Sequence, residues 1–216
     1  MQLPTGGIAF YPGSDEDSPY FSGETWLALA HYDRLFPGDP MVAEMLAAAE
    51  DYFIRTYLRA FDGAFFHWGM MAAAVRFETT AEQRYLDFVS LQGWQFVVEV
   101  RPDFVPESNE CYSVEGLAAG ARAMWTGGRG SDPGYGAMVD RAERELVKIF
   151  ALQIMPGQTR IDVGEGRFFY DPGLERMVGA FRNGQRLMRS RIDFTQHCLS
   201  AIVHYGELRD TLATAE

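Results

Sequence analysis

The feature that most constrains this chain is a helix entrance that recurs along it. Glu24, Trp68, Glu115 and His197 each open a short apolar segment rich in small residues. Ala28, Ala72, Ala119 and Ala201 follow four positions later, and Ala30, Ala74, Ala121 and Val203 follow six positions later. The intervals between entrances are 44, 47 and 82 residues, the last close to twice the others. Longer, more polar helical stretches separate the first three. A period near 45 residues built from two antiparallel helices is the mark of a helical repeat array. Small residues suit inner helices that must approach closely. Their first turns then face a common cavity, and free backbone N–H groups there favour anionic ligands.

Hydrophobic spacing and capping residues locate the individual elements. Helices are expected over 20–35, 41–58 and 65–77, from the Thr79-Thr80-Ala-Glu82 start to about Val100, and then over 110–125, 134–155 and 193–212. Asp39 is placed to cap the second, with Pro40 at its first position. The third carries almost no charge and is expected to be buried all round. Pro102 and Pro106 mark a loop over 101–109. After Pro156 the pattern becomes irregular. Residues 160–163 and 167–170 are expected to pair as a hairpin around Gly164-Glu165-Gly166, and residues 174–181 to form a helical turn. The expected fold class is all-α: a toroid or partial toroid of about seven helices in one domain over 1–216, with that short β-hairpin-like insertion.

This arrangement resembles the α/α toroids: the six-hairpin glycosidases and sugar epimerases, the terpenoid-cyclase-like proteins and the lanthionine cyclases. The resemblance is one of architecture and covers most of the chain. It implies a polar, aromatic cup at the inner-helix entrances. Complete toroids have more helices, so the resemblance implies either a shortened ring or one that closes by association into a homo-oligomer, with an open solenoid as the alternative.

The best-furnished entrance is Asn109 to Ala123, which places Glu110, Cys111, Tyr112, Ser113 and Glu115 ahead of a small-residue helix. In the carbohydrate enzymes two carboxylates across a cavity act as acid and base. On that reading Glu115, Glu24, His197 and Asp193 are catalytic candidates. Tyr112, Trp68, His67, Tyr20, Glu110 and Arg191 are candidates for holding a small molecule or glycan, with Tyr11, Phe21 and Phe66 as further stacking surfaces. The plainer reading of Glu24 and Glu115 is as first-turn carboxylates meeting the helix dipole.

No metal or cofactor is expected on that reading. The alternative is zinc held by Cys111, His67 and His197, because Cys111-Tyr112-Ser-Val-Glu-Gly116 resembles the Cys-Tyr-Gly-x-x-Gly segment of lanthionine cyclases, where the Cys is a zinc ligand. Their Cys-His-Gly segment has no counterpart here; Gln196-His197-Cys198 reverses its order. A non-catalytic binding or assembly domain is the third class.

The net charge of −11 argues against a broad nucleic-acid footprint. Cys111 and Cys198 are the only cysteines, too few for a disulfide framework. The first residues have neither the basic region nor the apolar core of a signal peptide. A cytoplasmic protein away from membranes is therefore expected. The acidic turn Asp15 to Asp17 and the basic residues Arg182, Arg186, Arg189 and Arg191 are expected on the rim of the same mouth, the arginines placed to pair with that turn, with a neighbouring subunit or with a carboxylate or phosphate of a substrate.

Overall fold

In a computed structural model the described residues are 1–103, 105, 108–187 and 189–214. Among them are seven α-helices: α1 (Pro19–Leu35), α2 (Pro40–Arg59), α3 (Gly63–Thr80), α4 (Gln83–Trp94), α5 (Cys111–Thr126), α6 (Pro133–Ala151) and α7 (Ile192–Ala213). A π-helical turn, Gln95–Val100, continues α4. Strands β1 (Arg160–Gly164) and β2 (Arg167–Tyr170) form one antiparallel hairpin, followed by a 3-10 turn, Pro172–Met177. The protein is all-α with a short β-hairpin insertion. No described helix is long and apolar enough to cross a membrane.

Local chemistry explains the helix starts. Asp39 caps α2 through the backbone amides of Met41 and Val42, with Pro40 in the first turn. Asp62 and Asp132 cap α3 and α6 in the same way. Asn109 Oδ1 accepts from the Cys111 amide at 3.0 Å and begins α5. In the hairpin turn Gly164, Glu165 and Gly166 all have positive φ, at 90°, 56° and 68°. Two of those three positions are therefore glycine.

The alternating helices separate into two sets. α1 packs on α3, α3 on α5, and α5 on α7, so the small-residue helices are consecutive neighbours. α2, α4 and α6 lie against their backs. Two glycines set the inner spacing. A Cβ on Gly23 would come within 2.6 Å of the Trp68 Cβ, and one on Gly116 within 2.9 Å of the His67 Cα. These positions bring α1, α3 and α5 together in their second turns, near the helix entrances. The main core runs through all seven helices, with Trp26, Phe53, Phe65 and Phe88 in ring contact at its centre. A small second cluster, Ile154, Ile161 and Leu174, lies under the hairpin.

Several expectations change in the structure. The two cysteines are joined as a Cys111–Cys198 disulfide, tying α5 to α7 across 87 residues. The acidic turn does not meet the arginines. Asp17 is anchored inward, accepting from Tyr57 Oη at 2.6 Å, Ser22 Oγ at 2.5 Å and the Ile8 amide at 2.9 Å. Arg182 donates to the carbonyls of Gln185, Gly184 and Ala151, while Arg186 pairs with Glu165. The double interval before His197 holds α6, the hairpin and irregular chain in place of another inner helix. Pro106, one of the two prolines marking the expected loop, lies outside the described residues.

Candidate functional site

The entrances of α1, α3 and α7, with Tyr112 of α5, line a cavity of about 760 Å³. Glu24, Tyr20, His67, Trp68, Tyr112, Asp193, His197 and Arg191 all contribute to its wall, as the sequence pattern implied. Its apolar side is built from Phe61, Phe66, Phe96, Val100 and Phe194. Phe61, Phe96, Arg101 and Gln196 were missed by sequence reasoning; Phe96 and Arg101 arrive through the π-helical turn and the chain just after it, which no period marks.

Two candidates stand elsewhere. Glu110 is buried beneath the cup, ion-paired to Arg101 at 2.5 Å and accepting from Ser108 and Ser113 hydroxyls. It does not line the cup; with Arg101, Arg141 and Glu145 it lines a separate cavity of about 230 Å³. Glu115 is 2% exposed and sits behind His197, on the wall of a second cavity of about 310 Å³. Its Oε2 lies 2.8 Å from His197 Nδ1. Tyr11 and Phe21 are exposed next to Phe10 and do not line the cup.

The rings form a connected wall. His67 stands 4.5 Å from Trp68, 5.5 Å from Tyr112 and 5.6 Å from His197 between ring centroids. Trp68 is also 5.7 Å from His197 and 6.0 Å from Tyr20. Arg191 pairs with Asp193 Oδ2 at 2.7 Å. The disulfide braces the two carriers of the Glu115–His197 contact. Cys111 lies one turn before Glu115, and Cys198 follows His197 directly. With its sulfur bonded to Cys198, Cys111 is removed from the proposed zinc ligand set.

Electrostatics separate the two histidines. The hydrogen bond to Glu115 raises the His197 pKa against its burial, and the charges of Glu115, Asp193 and Glu24 add to this. Burial drives the His67 pKa down to about 3, with the neighbouring His197 adding to the fall. Burial also lifts the Tyr112 phenol to about 12, helped by the charge of Glu110 and opposed by Arg101. The Tyr20 phenol is raised by burial first, then by the adjoining Glu24 carboxylate.

Four buried polar atoms of this wall have no hydrogen-bond partner: both ring nitrogens of His67, Trp68 Nε1 and Asp193 Oδ1. Each such atom costs about 1–3 kcal/mol if left unmet. Buried polar atoms without a partner are uncommon, and here they gather beside one cavity.

The chain matches no family model, no curated protein and no solved structure. The reading of the site therefore rests on its geometry.

Proposed function

We propose that the protein is a carbohydrate-active enzyme of the hydrolase, lyase or epimerase type, acting in the cup of a partial α/α toroid. The observation that supports this is the make-up of one cavity. Two carboxylates, Glu24 and Asp193, share it with His197 and with the faces of Trp68, Tyr20 and Tyr112. Sugars present apolar ring faces edged by hydroxyls, so they need flat aromatic surfaces beside fixed polar atoms. Trp68, Tyr20 and Tyr112 supply the flat surfaces, and Glu24, Asp193 and His197 the polar side chains, of that wall.

In this reading Glu24 and Asp193 carry the proton transfers, one giving a proton and the other taking one. Arg191 holds Asp193 by Oδ2 and fixes its orientation. Glu115 acts through His197 as a positioning residue, because it lies behind the imidazole and outside the cup.

The test is turnover on a panel of glycosides, uronides and free sugars by the wild type, Glu24→Gln and Asp193→Asn. The expected result is activity on at least one class, with kcat lowered roughly 10²–10⁴-fold in each variant and KM little changed. Undiminished turnover in both variants would overturn the reading. So would a wild type that neither turns over nor binds any member of the panel.

A further inference from the structure

We propose that His67, Glu115 and His197 form a binding site for a single divalent transition-metal ion, zinc being the one their donors fit best. One ligand atom from each residue lies within 4.8 Å of the other two. The donors come from α3, α5 and α7, separated by 48 and 82 residues of sequence. Their convergence is therefore a product of the tertiary fold and not of one local motif.

The second observation is the state of His67. It is 5% exposed, it lines the cup, and neither of its nitrogens has a hydrogen-bond partner. A structural histidine at such depth normally gives its N–H to a carbonyl or carboxylate and accepts at the other nitrogen. This one does neither.

The other two donors are already paired. His197 Nδ1 and Glu115 Oε2 are 2.8 Å apart and share one proton, which an ion would displace. Two imidazoles and one carboxylate make the His₂Glu set of open catalytic zinc sites, which keep a fourth position for water or substrate. Donors at about 2.0–2.1 Å from a tetrahedral ion stand about 3.3 Å from each other. The widest present separation therefore contracts by roughly 1.5 Å on binding, within reach of a ring rotation.

The site joins the two cavities. His67 and His197 face the cup, and Glu115 faces the smaller cavity behind them. The inference goes beyond the carbohydrate reading and does not need it. Glu24 and Asp193 stay outside the ligand set, and a bound ion would polarise water or a hydroxyl lying between them.

The experiment uses full-length protein without an affinity tag, stripped with chelator and checked for retained helicity. Zn²⁺ is titrated calorimetrically, bound metal is counted by elemental analysis, and Co²⁺ is used as a spectroscopic probe. The expected result is about one ion per chain and a visible Co²⁺ spectrum with imidazole character. His67→Ala and Glu115→Gln should each weaken binding by at least roughly tenfold, while His204→Ala should leave it unchanged. A folded wild type that takes up no ion would overturn the proposal. So would unaltered affinity in either ligand variant. If His67→Ala does not fold, His67→Phe serves in its place, and a wild-type Co²⁺ spectrum lacking imidazole ligation is again a refutation. Failure here leaves the Glu24 and Asp193 experiment untouched, so the two readings fall separately.

Discussion

Glu50 and His67 are both ionisable, both almost wholly buried, and both packed against the inner helices. They differ in what surrounds them. Glu50 Oε1 accepts from Trp26 Nε1 at 3.1 Å and Arg76 Nε at 2.6 Å. Its Oε2 accepts from Tyr85 Oη at 2.6 Å and Arg84 at 3.0 Å. Arg76 reaches on to Asp33 at 2.5 Å. Both carboxylate oxygens of Glu50 are thus fully used, and two arginines offset its charge. His67 has ring neighbours but no hydrogen-bond partner among the described residues. A saturated cluster locks helices together and has nothing left to offer a ligand. An unsatisfied one weakens the fold slightly and keeps its valence for something else. The contrast marks the Glu50 cluster as architecture and is what motivates the proposal made for His67.

Breaking the saturated cluster should have the largest effect. Glu50→Ala strands Arg76 beside a missing partner and should lower stability by about 3–5 kcal/mol, read as a fall in denaturant midpoint. A loss below 1 kcal/mol would mean that the cluster does not bind the helices together. Next comes the brace on the second cluster. Cys111→Ser with Cys198→Ser opens a closure of 87 residues and should cost about 2–5 kcal/mol. The same loss should appear in the wild type under reductant and be absent from the variant treated likewise.

Filling the orphan should do the reverse. His67→Phe replaces an unmet polar ring with an apolar one and should raise stability by about 1 kcal/mol in metal-free protein, while ligand binding is lost. The pH dependence sharpens this. The His67 pKa is about 3 when folded, below its ordinary value near 6.5. The unfolded chain therefore binds more protons between these values, and stability should fall on acidification through that window. The slope from this group is at most about 1.4 kcal/mol per pH unit, and His67→Phe should flatten it. His197 works in the opposite sense. Its raised pKa gives stability that is present below pH 6.5 and lost as pH rises through the folded value, so His197→Asn should remove that alkaline decline. The smallest effect belongs to Arg84→Ala at the exposed edge of the Glu50 cluster. It should cost about 0.2–1 kcal/mol, since Tyr85 and Arg76 remain in place.

Much of the frame was legible because its signals are local. Asp39-Pro40 announced α2, and the glycines flanking Glu165 announced the hairpin turn. The recurrence of small residues separated inner from outer helices. It also placed Glu24, Trp68, Glu115 and His197 at equivalent entrances, of which Glu24, Trp68 and His197 line the cup. What stayed hidden depends on distance in sequence. Nothing in the spacing pairs Cys111 with Cys198, or turns Glu115 toward His197 and away from the cup. Glu110 was misread because its role depends on Arg101, which the loop before α5 delivers. The path from 152 to 191 is held by isolated bridges such as Gln153 to Phe181 and Ser108 to Gly184, which leave no periodic trace. The Glu50 cluster did leave one. Leu46, Glu50, Phe53 and Tyr57 share a helical face at the spacing of core residues, and a carboxylate on that stripe is a buried one needing partners.

Gly23 and Gly116 separate the dimensions of the site from its chemistry. The distance between the second turns of α1, α3 and α5 is set where a helix meets its neighbour without an intervening side chain. The donor residues stand beside those contacts and do not create them. Replacing Glu115 with His or Asp therefore changes the charge and hardness of the donor set while the helices keep their spacing. A Cβ at position 116 would instead push α3 away from α5, moving His67 relative to Glu115 while leaving the α5–α7 contact of Glu115 with His197 in place.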